Sequence, residues 1–338
     1  MSEHDDALWD PNLEGDLQMQ RIRSLLAPYS VKARGLEDWM PKKNAAKLTY
    51  AKPVKIMVAG LAASLLIYLG HLYRLDWKES QAWQVSGLSI TDPTMTRALT
   101  PGSVLETEQE SLTINVARIG HITLSPNSKL RLIETRANRH RVNLEIGHLR
   151  ATIWAPPGYF GVTNGIAELV DLGCDFDLWK GSDGSGRVQV RSGWVAYKIS
   201  AYEVLVPAGY ELKFNVERPF TPMRLNTNPD FAKAVQQLEQ ALANSGSASI
   251  KALIAADVVA ETAQNKDAFT LLSLLTQFPQ LAKGALYPRL GLALGAPVND
   301  EAHRAAWAAG NIHAINSWWD VYPTQPKNWL ANWTDLIK

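Results

Sequence analysis

Eighteen consecutive residues, Ile56 to Tyr73 (IMVAGLAASLLIYLGHLY), contain no Asp, Glu, Lys or Arg. This run constrains the fold more than any other feature, because so much apolar surface has to leave water. As a helix rising ~1.5 Å per residue it is about 27 Å long, close to the ~30 Å hydrocarbon core of a bilayer. Lys55 and Arg74 bracket it, where their stems can reach headgroups. Tyr68, Tyr73 and Trp77 gather at its far end, as an interfacial aromatic belt does. The expectation is a single transmembrane helix over residues 54–74. The other reading is a helix buried in a protein core. A cleaved signal peptide is disfavoured, because its charged region would have to be more than fifty residues long.

The flanking charges give an orientation. Lys32, Arg34, Lys42, Lys43, Lys47, Lys52 and Lys55 precede the run, whereas Arg74 and Lys78 follow it among Asp76 and Glu79. The positive-inside rule then puts the N-terminus in the cytoplasm and the rest outside. The whole chain has 34 Lys and Arg against 33 Asp and Glu, a balance that excludes a generic nucleic-acid binder. Its one cysteine, Cys174, excludes an intrachain disulfide and a cysteine zinc site.

Residues 1–53 read as a short cytoplasmic tail with one amphipathic helix and a basic linker. The helix runs from about Asp16 to Ala27 and stops at Pro28. Met19, Ile22, Leu25, Leu26 and Tyr29 fall on one side of it, and Trp9 stands upstream in Leu-Trp-Asp. A segment this small cannot bury that face by itself, so it rests on lipid or docks on a partner. Residues 80–222 change to period-two alternation, as in Leu112-Ile114-Val116 and Val142-Leu144-Ile146, punctuated by glycine turns. That pattern predicts an all-β domain, a sandwich, roll or solenoid-like stack, with a hairpin tip over Lys180–Arg187. Residues 223–338 read as an all-α bundle, with helices over Phe231–Ala243, Ser249–Val259, Ala268–Leu275, Gln280–Leu294 and Ala302–Ile312. Trp307, Trp318, Trp319, Trp329 and Trp333 close a small core there or form a stacking surface.

Catalytic signals are absent from the sequence. The seven histidines show no metal spacing, and no nucleophile elbow, P-loop or H-E-x-x-H occurs. Neither an enzyme, a cofactor nor a metal is expected. Period-two counting puts Asp171, Asp175 and Asp177 on a solvated strand face, opposite Cys174, Phe176 and Leu178. His121 and His148 read as exposed turn residues. Arg136, Arg139, His140 and Arg141 read as a hydrated basic turn, or a site for an acidic polymer.

Six stretches of the strand region occur in a recognisable order. They are Leu99–Thr107; Ile119–Leu132 with Gly120, Pro126 and Leu130; Leu144–Leu149 with Gly147; Phe160–Thr163; Leu172–Leu178 with Gly173 and Phe176; and Val206–Glu211 with Gly209. Together with the turn at Gly193 they resemble the FecR domain of bacterial envelope proteins, with Cys174 where that family has a small threonine. The Leu-Trp-Asp tail and stretches such as Asp267–Leu275 and Gly284–Leu290 resemble a single-span subgroup of FecR-domain proteins. The resemblance implies a single-pass signalling protein of the bacterial inner membrane. It would sense an envelope protein or polymer outside and control a cytoplasmic regulator, such as an extracytoplasmic-function sigma factor. Trp9, Met19, Ile22, Leu25 and Leu26 would be the tail's anchors. The alternative expectation is a membrane-anchored envelope binding or scaffold module whose tail does not signal.

Overall fold

The computed structural model describes residues 51–87, 97–165, 167–199, 202–245 and 249–323. The tail anchors Trp9, Met19, Ile22, Leu25 and Leu26, and also Trp329 and Trp333, lie outside them. Two compact units divide the chain, Met1–Leu65 and Leu66–Lys338.

Fifteen strands run in chain order: β1 (Trp83–Ser86), β2 (Arg97–Leu99), β3 (Val104–Thr107), β4 (Leu112–Val116), β5 (Gly120–Leu124), β6 (Ser128–Arg136), β7 (Arg139–Ile153), β8 (Phe160–Thr163), β9 (Glu168–Asp171), β10 (Asp175–Lys180), β11 (Gly186–Ser192), β12 (Trp194–Ile199), β13 (Tyr202–Pro207), β14 (Tyr210–Phe214) and β15 (Met223–Arg224). All are joined in one hydrogen-bonded network. It is mixed: β7 and β8 pair in parallel, and the other pairs among the described residues are antiparallel.

The long strand β7 organises the domain. Its first half, through Ile146, pairs with β6 and β8, and its second half, from Gly147 to Ile153, pairs with β5 and β10. The strand therefore passes from one layer to the other at Gly147, a sheet-switching bend. Gly147 has φ +104°, and a Cβ there would stand 2.5 Å from the Cα of Ser128. Only glycine fits the bend. Alternating residues of both layers, including Ile114, Ile122, Leu130, Leu144, Phe176 and Val188, fill one shared core.

Seven α-helices are described: α1 (Ala51–Leu75), α2 (Pro229–Ser245), α3 (Ile250–Thr262), α4 (Ala268–Gln277), α5 (Leu286–Leu294), α6 (Glu301–Ala308) and α7 (Ile312–Val321). Ser249, Asp300 and Asn311 cap α3, α6 and α7 through side-chain oxygens. The expected helix over Gln280–Leu294 is broken into a 3-10 turn, Pro279–Lys283, and α5, with Gly284 between them. The expected Ala302–Ile312 helix stops early, before Gly310 at φ +77°.

Two parts of the expected fold class are corrected. The first is the transmembrane helix. The apolar run does form a helix, α1, but among the described residues no helix is long and apolar enough to cross a membrane. The end of the helix is also tied to protein. The Arg74 guanidinium donates to the Trp154 carbonyl, Arg118 lies 3.8 Å over the Tyr73 ring, and Leu75 and Trp77 pack on the strand core. Lys55 lies within α1.

The second correction concerns the all-β domain followed by an all-α bundle. The helices are not a bundle apart, and the molecule is a mixed β-sheet domain with helices at its C-terminal side. All eight residues from Ala268 to Leu275 of α4 are buried. A helix apolar on every side needs cover on every side. Phe269 enters the strand core, edge-on to Tyr210 at 5.0 Å and Trp194 at 5.7 Å, while Leu271, Leu272, Leu274 and Leu275 join the helical core. Trp307 and Trp318 are buried in that helical core.

Candidate functional site

A cavity of about 510 Å³ opens where β14 and β15 face α2. Its apolar lining includes Phe220, Met223 and Val235, and its polar lining includes Thr221, Arg224, Lys233 and Glu239. Local sequence explains each placement. The hairpin of β14 and β15 carries Arg224 opposite Tyr210. In α2, Phe231, Val235, Leu238 and Leu242 form the buried stripe. Glu239 follows Phe231 and Val235 at the i+4 spacing, so a carboxyl is carried onto the buried side.

Glu239 is 6% exposed. Its Oε1 accepts a hydrogen bond from the Thr221 amide at 2.5 Å, and its main-chain carbonyl accepts one from Arg218 at 3.3 Å. Burial pushes its carboxyl above the usual range, while Thr221 and the Arg218 and Lys213 charges pull the other way. Arg224 Nη2 donates to the Asn226 carbonyl, but its Nε is buried with no partner. A buried unpaired donor costs about 1–3 kcal/mol. Arg187 and Lys213 both stand 3.7 Å from Glu211, whereas Arg224 and Lys233 form no ion pair among the described residues. The cavity thus joins an apolar wall, the Lys213–Glu211 pair, two cations without carboxylate partners and a second carboxyl, Glu239, whose ionisation burial disfavours. It can hold a small amphipathic anion. An adjoining cavity of about 570 Å³ shares Lys213 and Phe220 with it and reaches Trp179.

A second polar cluster lies on the sheet surface. Ser125 Oγ is 2.7 Å from His148 Nδ1, and His148 Nε2 is 3.0 Å from Asp177 Oδ1. Arg191 donates to the other oxygen of Asp177 at 2.6 Å. Trp179 stacks on the His148 ring at 4.4 Å, and Arg187 lies 4.4 Å over Trp179. The residues have the order of a hydrolytic triad, but Asp177 is already neutralised by Arg191. The contacts cross-link the second half of β7 to β10, β11 and the turn after β5.

The expected turn and surface residues prove to be more enclosed. Asp177 and Asp171 are buried, rather than sharing a solvated face. Asp171 caps the tight turn before β10, accepting from the amides of Gly173 and Cys174 and from the Cys174 thiol. Burial pushes Asp171 up to about 7, and burial together with the Asp171 charge raises the Cys174 thiol. The basic turn is also internal in part. His140 lies between Trp83 and Thr135, with its ring held down to about 4, first by burial and then by the Arg141 charge. Buried Arg141 pairs with Glu168 and donates to the carbonyls of Gly158 and Tyr159.

The motif residues serve the scaffold. Gly120 opens β5, Pro126 lies in the turn before β6, and Leu130 and Phe176 are in the core. Gly173, Gly193 and Gly209 sit in turns. Gly193, at φ +72°, packs so closely that a Cβ would overlap the Gly173 carbonyl. None of these motif residues lines the cavity. Sequence reasoning missed Glu239 and Arg224. A glutamate on the apolar stripe of α2 was the readable signal for the first, and Arg224 carried none.

No family model matches the chain, and no curated protein does. Two crystal structures of a "putative anti-sigma factor" from Parabacteroides distasonis are similar to part of it. One has a TM-score of 0.32 at 17% identity, over 40% of this chain and 64% of that one. The other has a TM-score of 0.31 at 17% identity, over 40% of this chain and 65% of that one. The chain therefore spans about 64% of the length of the first of these structures, and likeness at this level stops short of a common fold.

Proposed function

We propose that this chain is a FecR-like regulatory protein in which residues 1–53 hold a regulator, such as an extracytoplasmic-function sigma factor. The observation that carries the reading is the collinear set of six FecR-like stretches, from Leu99–Thr107 to Val206–Glu211. Gly147 stands at the sheet switch, Gly120 packs tightly on β7, Gly173 and Gly209 stand in turns at positive φ, and large apolar residues such as Leu130 and Phe176 stand in the core, as a scaffold signature requires. Docking of the tail follows from its amphipathic stripe, which is too small to bury itself.

The test is co-purification of the full chain with a co-encoded sigma factor, beside a Trp9→Ala, Leu25→Ala double variant. The expected result is a stable complex that the double variant loses by at least tenfold in affinity. A full chain that captures no such factor, or a double variant that binds as well as the parent, overturns the reading. A second reading, a ligand-binding module whose tail is inert, is favoured by the cavity at β14, β15 and α2. It predicts that deleting residues 1–50 leaves the chain's effect in cells intact.

A further inference from the structure

We propose that the cavity between the β14–β15 hairpin and α2 is a binding site for a small organic carboxylate with an apolar body. This goes beyond the regulatory reading and does not depend on it. Three features of the site specify that chemistry. The first is size: about 510 Å³ suits a small molecule. The second is the pair of cations. Arg224 carries a buried Nε with no acceptor, and Lys233 lines the same space from the exposed side of α2. A carboxylate in the cavity can accept from the guanidinium of Arg224 and the ammonium of Lys233, both of which line it. The third is the wall. Phe220, Met223 and Val235 give an apolar surface beside the cations, so an inorganic anion would leave most of the cavity unfilled.

Glu239 sets the selectivity. Its Oε1 is engaged by the Thr221 amide, so the second carboxyl oxygen is the one left for a ligand in the cavity that Glu239 lines. With the carboxyl protonated, that oxygen donates to a bound carboxylate. With it ionised, it repels one. Binding is therefore expected to weaken as pH rises, because Glu239 ionises while Arg224 and Lys233 keep their charge. The charges of Arg218 and Lys213 act on it, and the other charged groups lining the same cavity are Glu211 and Arg224 from β14 and β15 and Lys233 from its own helix. Glu239→Gln is expected to remove much of this pH dependence and to keep binding.

The test uses the full chain, titrated calorimetrically with 4-phenylbutyrate and with its uncharged isostere 4-phenylbutyramide. The expected result is saturable binding of the acid and at least tenfold weaker binding of the amide. Arg224→Gln is expected to lower affinity for the acid at least tenfold. Should that variant fold poorly, Ala232→Trp fills the cavity from α2 without altering charge, and it is expected to abolish binding. Lys233→Gln is expected to cost a few-fold. Equal binding of acid and amide overturns the proposal. So does the absence of saturable binding by either, or acid binding that survives Ala232→Trp.

Discussion

The strand region and the helical region bury polar groups in different places. In the strands such groups recur across the domain, each with at least one buried member: Trp83 with Thr135 and His140, Arg141 with Glu168, Asp171 with Cys174, and, at the sheet surface, Asp177 with His148 and Arg191. Each joins segments distant in sequence or closes a turn. In the helices, buried Glu239, Asp267 and Thr270 all bond the same short stretch that leaves the sheet. Glu239 takes the Thr221 amide, Asp267 takes the Thr227 hydroxyl at 3.2 Å, and Thr270 donates to the Pro222 carbonyl at 2.9 Å. Buried Ser273 is an exception that accepts from Gln277 within α4, and around it the helical core is Leu, Ala, Trp and other apolar side chains. Polar burial therefore holds the strands together from within, whereas it fastens the helices to the strands along one seam. The comparison explains why the helices are not an independent bundle.

The sharpest way to break the strand half of this comparison is at its bend. Gly147→Val places a branched side chain where even a Cβ meets the Ser128 backbone, at a φ that valine does not tolerate. The expected loss is about 4 kcal/mol or more, seen as loss of cooperative urea unfolding at the parent midpoint. A shift under about 1 kcal/mol would mean that β7 does not need glycine to change layers.

The seam comes next. Phe269→Ala removes the one α4 ring that enters the strand core, beside Trp194, Tyr210, Trp319 and Tyr322. A buried Phe→Ala change costs about 3–5 kcal/mol. If the helices stood alone, the same variant would leave their unfolding midpoint unchanged while loosening the strands. Far-UV dichroism of the helices, followed beside tryptophan fluorescence, distinguishes the two.

Much of this fold could be read in the sequence, for identifiable reasons. Period two in Leu112–Val116 and at Val142 and Leu144 follows from one-sided burial, although Ile146, next to the switch at Gly147, is exposed, and the glycines of the tip near Gly184 follow from backbone sterics. The sequence-based reading failed where burial was two-sided or non-local. Asp171 and Asp177 alternate as surface residues do, yet neighbouring strands and turns cover both. Ala268–Leu275 gives no stripe because every side of α4 is covered. The apolar run at Ile56 gave a helix, but its length alone did not say what its last turn would touch. Glu239 was legible as a polar residue on an apolar stripe, whereas Arg224 became a site residue only through the hairpin that folds it toward α2.

The buried polar pairs of the strands make opposed pH signatures, a finer test of the same comparison. The unfolded chain protonates His140 below its ordinary 6.5, while the folded chain resists to about 4. His140 therefore removes stability as pH falls from 6.5 toward 4. Asp171 ionises near its ordinary 3.8 when unfolded and near 7 when folded. Its contribution is full below 3.8 and is lost as pH rises through 7. Each slope approaches about 1.4 kcal/mol per pH unit, with opposite sign. Relative to the parent, Asp171→Asn should gain stability from pH 5 to 8, and His140→Gln should gain it from pH 6.5 down to 4.5. Urea midpoints that stay parallel to the parent across both windows would mean that neither group is held out of water as the fold implies.

The smallest effect belongs to the seam. Glu239→Gln keeps a carbonyl oxygen for the Thr221 amide and removes a carboxyl whose ionisation is disfavoured by burial. Its folded value is raised, so its contribution is present below the ordinary carboxyl range and is lost as pH rises through the folded value. The glutamine variant should match the parent within about 1 kcal/mol in acid and exceed it above neutrality. Glu239→Ala, which leaves the Thr221 amide without an acceptor, should be the less stable of the two at every pH. If alanine and glutamine behave alike, the Glu239 contact carries no share of the fastening. The seam would then rest on Phe269 and the hydroxyls of Thr227 and Thr270, which would move the helical region closer to the strand pattern of burial by packing and cross-linking alone.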